Sequence, residues 1–351
     1  MLAPRSSLSP LLAAIVVAVA ASACGASSTS QSAPTLVERS RVSMGSEVHF
    51  TAWTSDEAMA TAAFDRAFDE FDRLDGLMSV WREGSDVLRL NAAAGMSAVS
   101  VSPEVREVLL EARQVSEWTV GKFDVTFGAL SGIWKFDHDL DGQIPPRADI
   151  AARLPLIDYR ALEIDERAGT AWLMRPGMKV HLGGIGKGYA VERSAAILRE
   201  AGVDDFMIQS GGDLYLAGTR GARPWKVGIQ DPRGPSDTIF AAIELTDAAF
   251  STSGDYERFF LRDGHRYHHI MDPDTGEPAR GARSVTVVTR SSTLADALST
   301  GVFVLGAEAG ISLIERLPDV EGVIVTADNQ VLVSSGLKEG VALLRQPTDA
   351  P

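Results

Sequence analysis

The 351-residue sequence predicts an α+β protein, with mixed sheets flanked by helices. Two stretches place apolar residues at three- and four-residue steps, the signature of a helix with one buried stripe. Six short runs alternate or are rich in β-branched residues, as half-buried strands are. Several of these runs follow one another with only turns between them. A parallel sheet needs a helical crossover between successive strands, so regular βαβ alternation is not the pattern.

In chain order, 48–53 reads as the first strand. Residues 56–77 form an amphipathic helix with Phe64, Phe68, Phe71 and Leu74 on one side. Ser102-Pro103-Glu104 is an N-cap followed by proline at the first helical position, and Val105, Val108, Leu109, Ala112 and Val115 continue the buried stripe. Residues 137–148, with Asp, Gly and paired prolines, are a loop. A glycine-rich turn at 183–188 leads into a helix starting near Tyr189, and strands follow at 206–209, 225–229, 239–245, 284–288 and 323–327. A further helix holds 293–300.

The N-terminal end predicts where the protein works. Residues 7–23 are small and apolar after Arg5, too short to span a membrane and remain there, and Ala21-Ser22-Ala23 precedes Cys24. Cys24 is the only cysteine, so no internal disulfide framework exists. Its position predicts export, removal of 1–23 and lipid attachment at Cys24. Residues 24–34, rich in Ser, Ala, Gln and Thr, read as a flexible tether, and 35–345 as the folded part. Net charge is −14 without a basic stripe, which makes nucleic acid a poor partner. A hydrophobic content of 45% is enough for a sizeable core.

Chemistry concentrates between residues 180 and 306. Gly183, Gly184, Gly186 and Gly188 bare the backbone around Lys187, and such a turn presents N–H groups and a cation to a phosphate. The spacing is neither a Walker motif nor GxGxxG, and a tight strand-to-helix turn would look the same. Asp296 and Thr300, four apart, share one helix face; their oxygens suit Mg²⁺. An exposed Asp and a Thr bonded back to its own helix would give the same pattern. His265, His268 and His269 fall within five residues, ahead of the turn Asp272-Pro273-Asp274-Thr275-Gly276. Histidine is the natural general base near neutral pH. The spacing does not match a helical zinc pair, and a structural histidine beside a turn is the other reading.

Eight ordered blocks across about 270 residues carry a resemblance: MGSEVHF, SVWREGSDVLRLN, GKFDVTFGALSGIW, LGGIGKGYAVE, QSGGDLYLAG, STSGDYERFF, YHHIMDPDTGEP and LADALSTGVFVLG. Together the chain resembles the ApbE family of FAD:protein FMN transferases. The resemblance implies a T-fold-like version of the α+β class, an exported lipid-anchored form, and a Mg²⁺-dependent reaction. In that reaction a threonine or serine hydroxyl of an acceptor flavoprotein attacks the FMN-side phosphorus of FAD and AMP leaves. By the same resemblance, Asp296 and Thr300 are side-chain metal ligands, with Gly184 adding a carbonyl. Lys187 contacts FAD; Met44, Trp81, Phe123, Asp124, Val125 and Ile270 line its pocket; His269 is the base. His181, standing where the family has an aspartate, is a further FAD-contacting position by the same resemblance; Glu192 also replaces an aspartate, and Trp81 stands where tyrosine is more frequent. Hydrolysis of FAD by water, and non-catalytic FAD binding, are the alternatives; storage needs neither base nor metal beside the scissile phosphate.

Overall fold

The computed structural model describes residues 33–136 and 139–350, so the export segment and Cys24 lie outside the described residues. The chain opens with β1 (Thr35–Ser43) and β2 (Ser46–Thr54). Ser43 pairs with Ser46 across a two-residue turn in which Met44 and Gly45 have φ of 49° and 73°. A tight hairpin turn matched to strand twist needs positive φ at both positions, so Met44 accepts the left-handed conformation that Gly45 takes freely.

Helix α1 (Glu57–Met78) begins after Asp56, whose carboxylate caps it by accepting the Met59 N–H at 2.9 Å. Phe64, Phe68 and Phe71 meet Phe50 of β2 at ring distances of 5.4, 4.6 and 6.2 Å. The expected stripe is therefore the contact between α1 and the sheet. Then come α2 (Asp86–Ala92), β3 (Val99–Ser100) and α3 (Pro103–Trp118), the last capped by Ser102. The expected loop at 137–148 ends two residues earlier than its helix-poor composition suggested, because α4 (Arg147–Arg153) starts directly after the paired prolines. Residues 137 and 138 lie outside the described residues. Strands β4 (Leu162–Asp165) and β5 (Thr170–Leu173) join β3 in a small sheet.

Helix α5 (Gly186–Glu200) starts three residues before the expected Tyr189. Gly186 and Gly188 are thus inside its first turn, where small size rather than backbone freedom is what matters. A Cβ on Gly188 would lie 2.2 Å from the Ser292 carbonyl oxygen and 2.7 Å from Cβ of Asp296. Only glycine allows the two helices to cross so closely. Next follow β6 (Phe206–Ser210), β7 (Asp213–Ala217), β8 (Trp225–Gln230), β9 (Ile239–Leu245) and β10 (Ala248–Gly254). Two small hairpins pair β11 (Phe259–Arg262) with β12 (His265–His268), and β13 (Met271–Asp272) with β14 (Glu277–Pro278). The chain ends through β15 (Ala282–Thr289), α6 (Ser292–Leu305), α7 (Ala307–Ile314), β16 (Glu321–Thr326), β17 (Val331–Val333) and β18 (Val341–Leu343).

The main sheet runs β1-β2-β6-β7-β10-β15-β16-β17, every neighbour antiparallel. Helices α1, α5 and α6 cover one face, and the β18-β9-β8 sheet belongs to a second core on the other. Alternation along single strands serves both cores: Tyr215 and Ala217 of β7 enter the helix-side core, whereas Leu214 and Leu216 enter the sheet-side core. Burial on both faces also explains why all eight residues of β15 are buried. Among the described residues, no helix is long and apolar enough to cross a membrane.

Candidate active site

A cleft of about 340 Å³ opens where the N-terminus of α5, the β10 end, the β12–β13 connection and α6 converge. An adjoining cavity of about 580 Å³ shares Gly45, Trp81, Phe136, His181, Gly183, Lys187 and Arg258 with it. The two form one trough of a size suited to an extended dinucleotide-like ligand. Phe123, Asp124, Val125, Gly184, His269, Ile270, Asp296 and Thr300 line the cleft, and Met44 lines the adjoining cavity from its hairpin turn. Trp81 is 60% exposed at the shared edge.

The polar corner is built from α5, α6, β7 and β10. Asp296 is buried, and its Oδ2 accepts the Gly188 N–H at 2.9 Å. Burial, and then the neighbouring Asp213 carboxylate, push the Asp296 carboxyl well above its ordinary range. The Lys187 ammonium bonds Asp213. Burial opposes its charge, but Asp213 and then Asp296 hold Lys187 above the usual ammonium value. Thr300 Oγ1 lies 3.1 Å from Ser253 Oγ, and a Cβ built on Gly184 would sit 3.3 Å from the same oxygen. Two buried carboxylates around Lys187, with the Thr300 and Ser253 hydroxyls beside them, are a hard-oxygen environment. That donor set fits Mg²⁺. Among the described residues no cluster of three His, Cys, Asp or Glu side chains is placed to hold a metal. A cation at this corner therefore needs main-chain, hydroxyl and substrate oxygens to complete its shell.

Neighbouring histidines diverge. His268, at the end of β12, is buried, with Nε2 2.8 Å from the Ala279 carbonyl and Nδ1 accepting the Ile270 N–H at 3.3 Å. His269 anchors its own N–H on the Arg258 carbonyl at 3.1 Å and turns its ring to the cleft. Its Nδ1 is buried and has no hydrogen-bond partner among the described residues. Burial, then Arg258 and His268, push the imidazole down to about 3, so it is neutral and able to accept a proton.

The profile of the ApbE family matches residues 44–324. The chain belongs to the ApbE family. A FAD:protein FMN transferase of Klebsiella pneumoniae strain 342 is 32% identical over 297 residues, covering 84% of this chain and 91% of that protein. One of Treponema pallidum strain Nichols is 33% identical over 300 residues, covering 81% and 82%. The crystal structure of the ApbE protein of Thermotoga maritima superposes with a TM-score of 0.80 at 31% identity, over 87% of this chain and 99% of that one. The flavin transferase ApbE of Vibrio cholerae does so with 0.78 at 28% identity, over 88% and 99%.

Within this ApbE fold, several residues singled out from the sequence do work their position alone does not reveal. Asp124 borders the cleft, but its Oδ1 accepts from the Thr126 N–H (2.8 Å) and hydroxyl (2.6 Å), and its Oδ2 from the Tyr159 N–H (2.8 Å). Its carboxylate therefore ties the 123–127 segment to residue 159. His181 accepts the Gly183 N–H on Nδ1 at 3.0 Å, the acceptor role a neutral imidazole shares with a carboxylate. Gly183 is required beneath it, since a Cβ there would lie 2.7 Å from the ring. Glu192 accepts from the Ser291 hydroxyl (2.6 Å) and from the N–H and hydroxyl of Thr293 (3.1 and 3.0 Å), tying α5 to the start of α6. Asp213, Ser253 and Arg258 had no role in the sequence reading. A signal for Asp213 was there: a charge directly after Gly211-Gly212, opening an otherwise apolar strand.

Proposed function

We propose that this chain is a Mg²⁺-dependent FAD:protein FMN transferase that links FMN through a phosphoester to a Thr or Ser hydroxyl of an acceptor flavoprotein and releases AMP. The observation that carries the reading is the pairing, in one trough, of a neutral imidazole at His269, whose Nδ1 has no hydrogen-bond partner among the described residues, with the oxygen corner of Asp296, Thr300 and Gly184. The family membership and the names of its relatives support the same activity.

Asp296 and Thr300, with the Gly184 carbonyl, would hold Mg²⁺. When bound, the ion neutralises charge on the diphosphate and on the departing phosphate oxygen. The trough orients FAD, with Met44, Trp81, Phe123, Val125 and Ile270 supplying apolar surface and Lys187 positive charge. His269 takes the proton of the acceptor hydroxyl as its oxygen forms a bond to the FMN-side phosphorus; the phosphoanhydride bond breaks and AMP departs with the bonding electron pair. Bound phosphates next to His269 raise its basicity above the free-enzyme value, since nearby anions favour imidazolium. Positioning and charge stabilisation supply most of the acceleration in such a displacement.

The Ala21-Ser22-Ala23-Cys24 pattern supports an exported enzyme anchored by lipid on the extracytoplasmic face. The test is incubation of the purified protein with FAD, Mg²⁺ and an acceptor protein. Intact-mass measurement should show FMN on one Thr or Ser, with AMP released in equal amount. EDTA should abolish both, and Asp296→Ala should do the same. Release of AMP with free FMN and an unmodified acceptor would mean water is the true acceptor.

A further inference from the structure

Four hydroxyls lie in a row between the two carboxylates of the polar corner, those of Ser251 and Ser299 buried and those of Ser253 and Thr300 half-buried at the cleft. Ser251 and Ser253 project from the same side of β10, while Thr252 between them pairs with Thr286 at 2.8 Å. Ser299 and Thr300 are consecutive on α6. Each hydroxyl has a single proton and can accept on its oxygen, so the direction of every bond follows from where each proton is committed. Ser251 donates to Asp213 Oδ1 at 2.6 Å. Ser299 donates to the Asp296 main-chain carbonyl at 2.9 Å, an acceptor with no proton to return. Ser253 is 2.8 Å from Ser299, and with the Ser299 proton spent, Ser253 must be the donor there. Its proton is then spent as well, so the 3.1 Å bond between Ser253 and Thr300 runs from Thr300. The longer 3.2 Å contact of Ser251 with Ser299 has no proton left to carry it.

We infer that Ser253 and Ser299 are positioning residues that draw the Thr300 proton away and leave its oxygen facing the cleft as an acceptor only. This rests on the reading of Thr300 as a cation ligand. A cation needs a lone pair, and a freely turning hydroxyl would point its proton at the ion for part of the time. The relay Thr300 to Ser253 to Ser299 to the Asp296 carbonyl removes that freedom. It also keeps Thr300 from bonding back to its own helix. Reversing it would take the Ser299 proton off the Asp296 carbonyl, which would then keep only its helical bond from the Thr300 N–H. Ser299 is wholly buried and outside the cleft lining, so it reaches a bound cation only through the groups it touches, Ser253 with Thr300 beyond it and the main chain of Asp296.

The experiment titrates Mn²⁺, read by electron paramagnetic resonance, into wild type, Asp296→Ala, Ser253→Ala, Ser253→Thr, Ser299→Ala and Thr286→Val, with thermal melts confirming that each is folded. Removing an outer partner of a metal ligand typically weakens affinity by about 10- to 100-fold, and that loss is expected for Ser253→Ala and Ser299→Ala. Ser253→Thr keeps the hydroxyl and should restore most of it, and Thr286→Val, which breaks the pair on the other face of β10, should bind Mn²⁺ as wild type does. If wild type fails to bind Mn²⁺, or Asp296→Ala binds it equally well, the cation site itself is refuted and the relay with it. If binding depends on Asp296 but both serine-to-alanine variants match wild type, the relay alone is overturned. Equal loss in Ser253→Ala and Ser253→Thr would overturn it too, by tracing the effect to packing.

Discussion

His269→Ala and its neighbour His268→Ala should separate chemistry from folding at two adjacent residues. The His269 ring makes no hydrogen bond through Nδ1 among the described residues and faces the cleft, so its loss leaves few protein groups stranded. Removing a general base costs about 10²- to 10⁴-fold, or about 2.7–5.4 kcal/mol of barrier at 1.36 kcal/mol per tenfold. His268 is different: its truncation strands the Ala279 carbonyl and the Ile270 N–H and removes a ring packed edge-on to Phe303 at 5.5 Å. Lost hydrogen bonds and a cavity of that kind cost about 2–5 kcal/mol of fold stability. The assay is single-turnover FMN transfer at saturating FAD, with FAD affinity from fluorescence and stability from thermal melts. His269→Ala should melt near wild type, bind FAD, and transfer slowly; His268→Ala should melt early yet transfer within about tenfold of wild type below its melting point. Because burial pushes His269 down to about 3, its ring resonances in the FAD-free protein should not titrate between pH 8 and 5. Loss of FAD binding with an intact bound-state rate in His269→Ala, or a larger rate loss at His268, would refute the base assignment.

Other outcomes follow from the helix crossing, the acidic face and the export segment. Gly188→Ala puts a Cβ against Ser292 and Asp296; overpacking of this kind costs about 1–3 kcal/mol, so melts should drop, and Mn²⁺ affinity should fall with the displaced Asp296. Glu111 is pushed up to about 7 by burial and then by Glu192 and Glu107. Its folded form holds the proton more tightly than the unfolded chain, so stability is lost as pH rises from about 4.5 through 7. Glu111→Gln should match wild type below pH 4.5 and exceed it by about 1–3 kcal/mol above pH 7, discounted for partial solvent screening, in denaturant melts across pH. Cys24→Ser should leave the membrane fraction and show no lipid by mass spectrometry; a wild type lacking lipid would overturn the anchor.

Local rules reach far in this chain. The stripe of Phe64, Phe68, Phe71 and Leu74, the Ser102-Pro103 start of α3 and the alternating strands are short-range patterns, and the elements formed where these patterns lie. The α+β class followed because strands succeed one another without crossovers, and the ordered motif blocks sufficed for the family. What a one-dimensional pattern does not contain is which way a side chain's hydrogen bonds run once distant segments meet. Asp124 lies on the cleft yet spends its carboxylate on Thr126 and Tyr159. Asp213 lies 83 residues before Asp296 in sequence but close enough to raise its pKa. The start of α5 at Gly186 was likewise not local, because Gly188 is set by the space α6 leaves it. Sequence spacing identified the oxygen and imidazole groups; only the fold, by burying them together and rationing protons and charge among them, decided which carboxylate bonds Lys187 and which histidine faces the cleft.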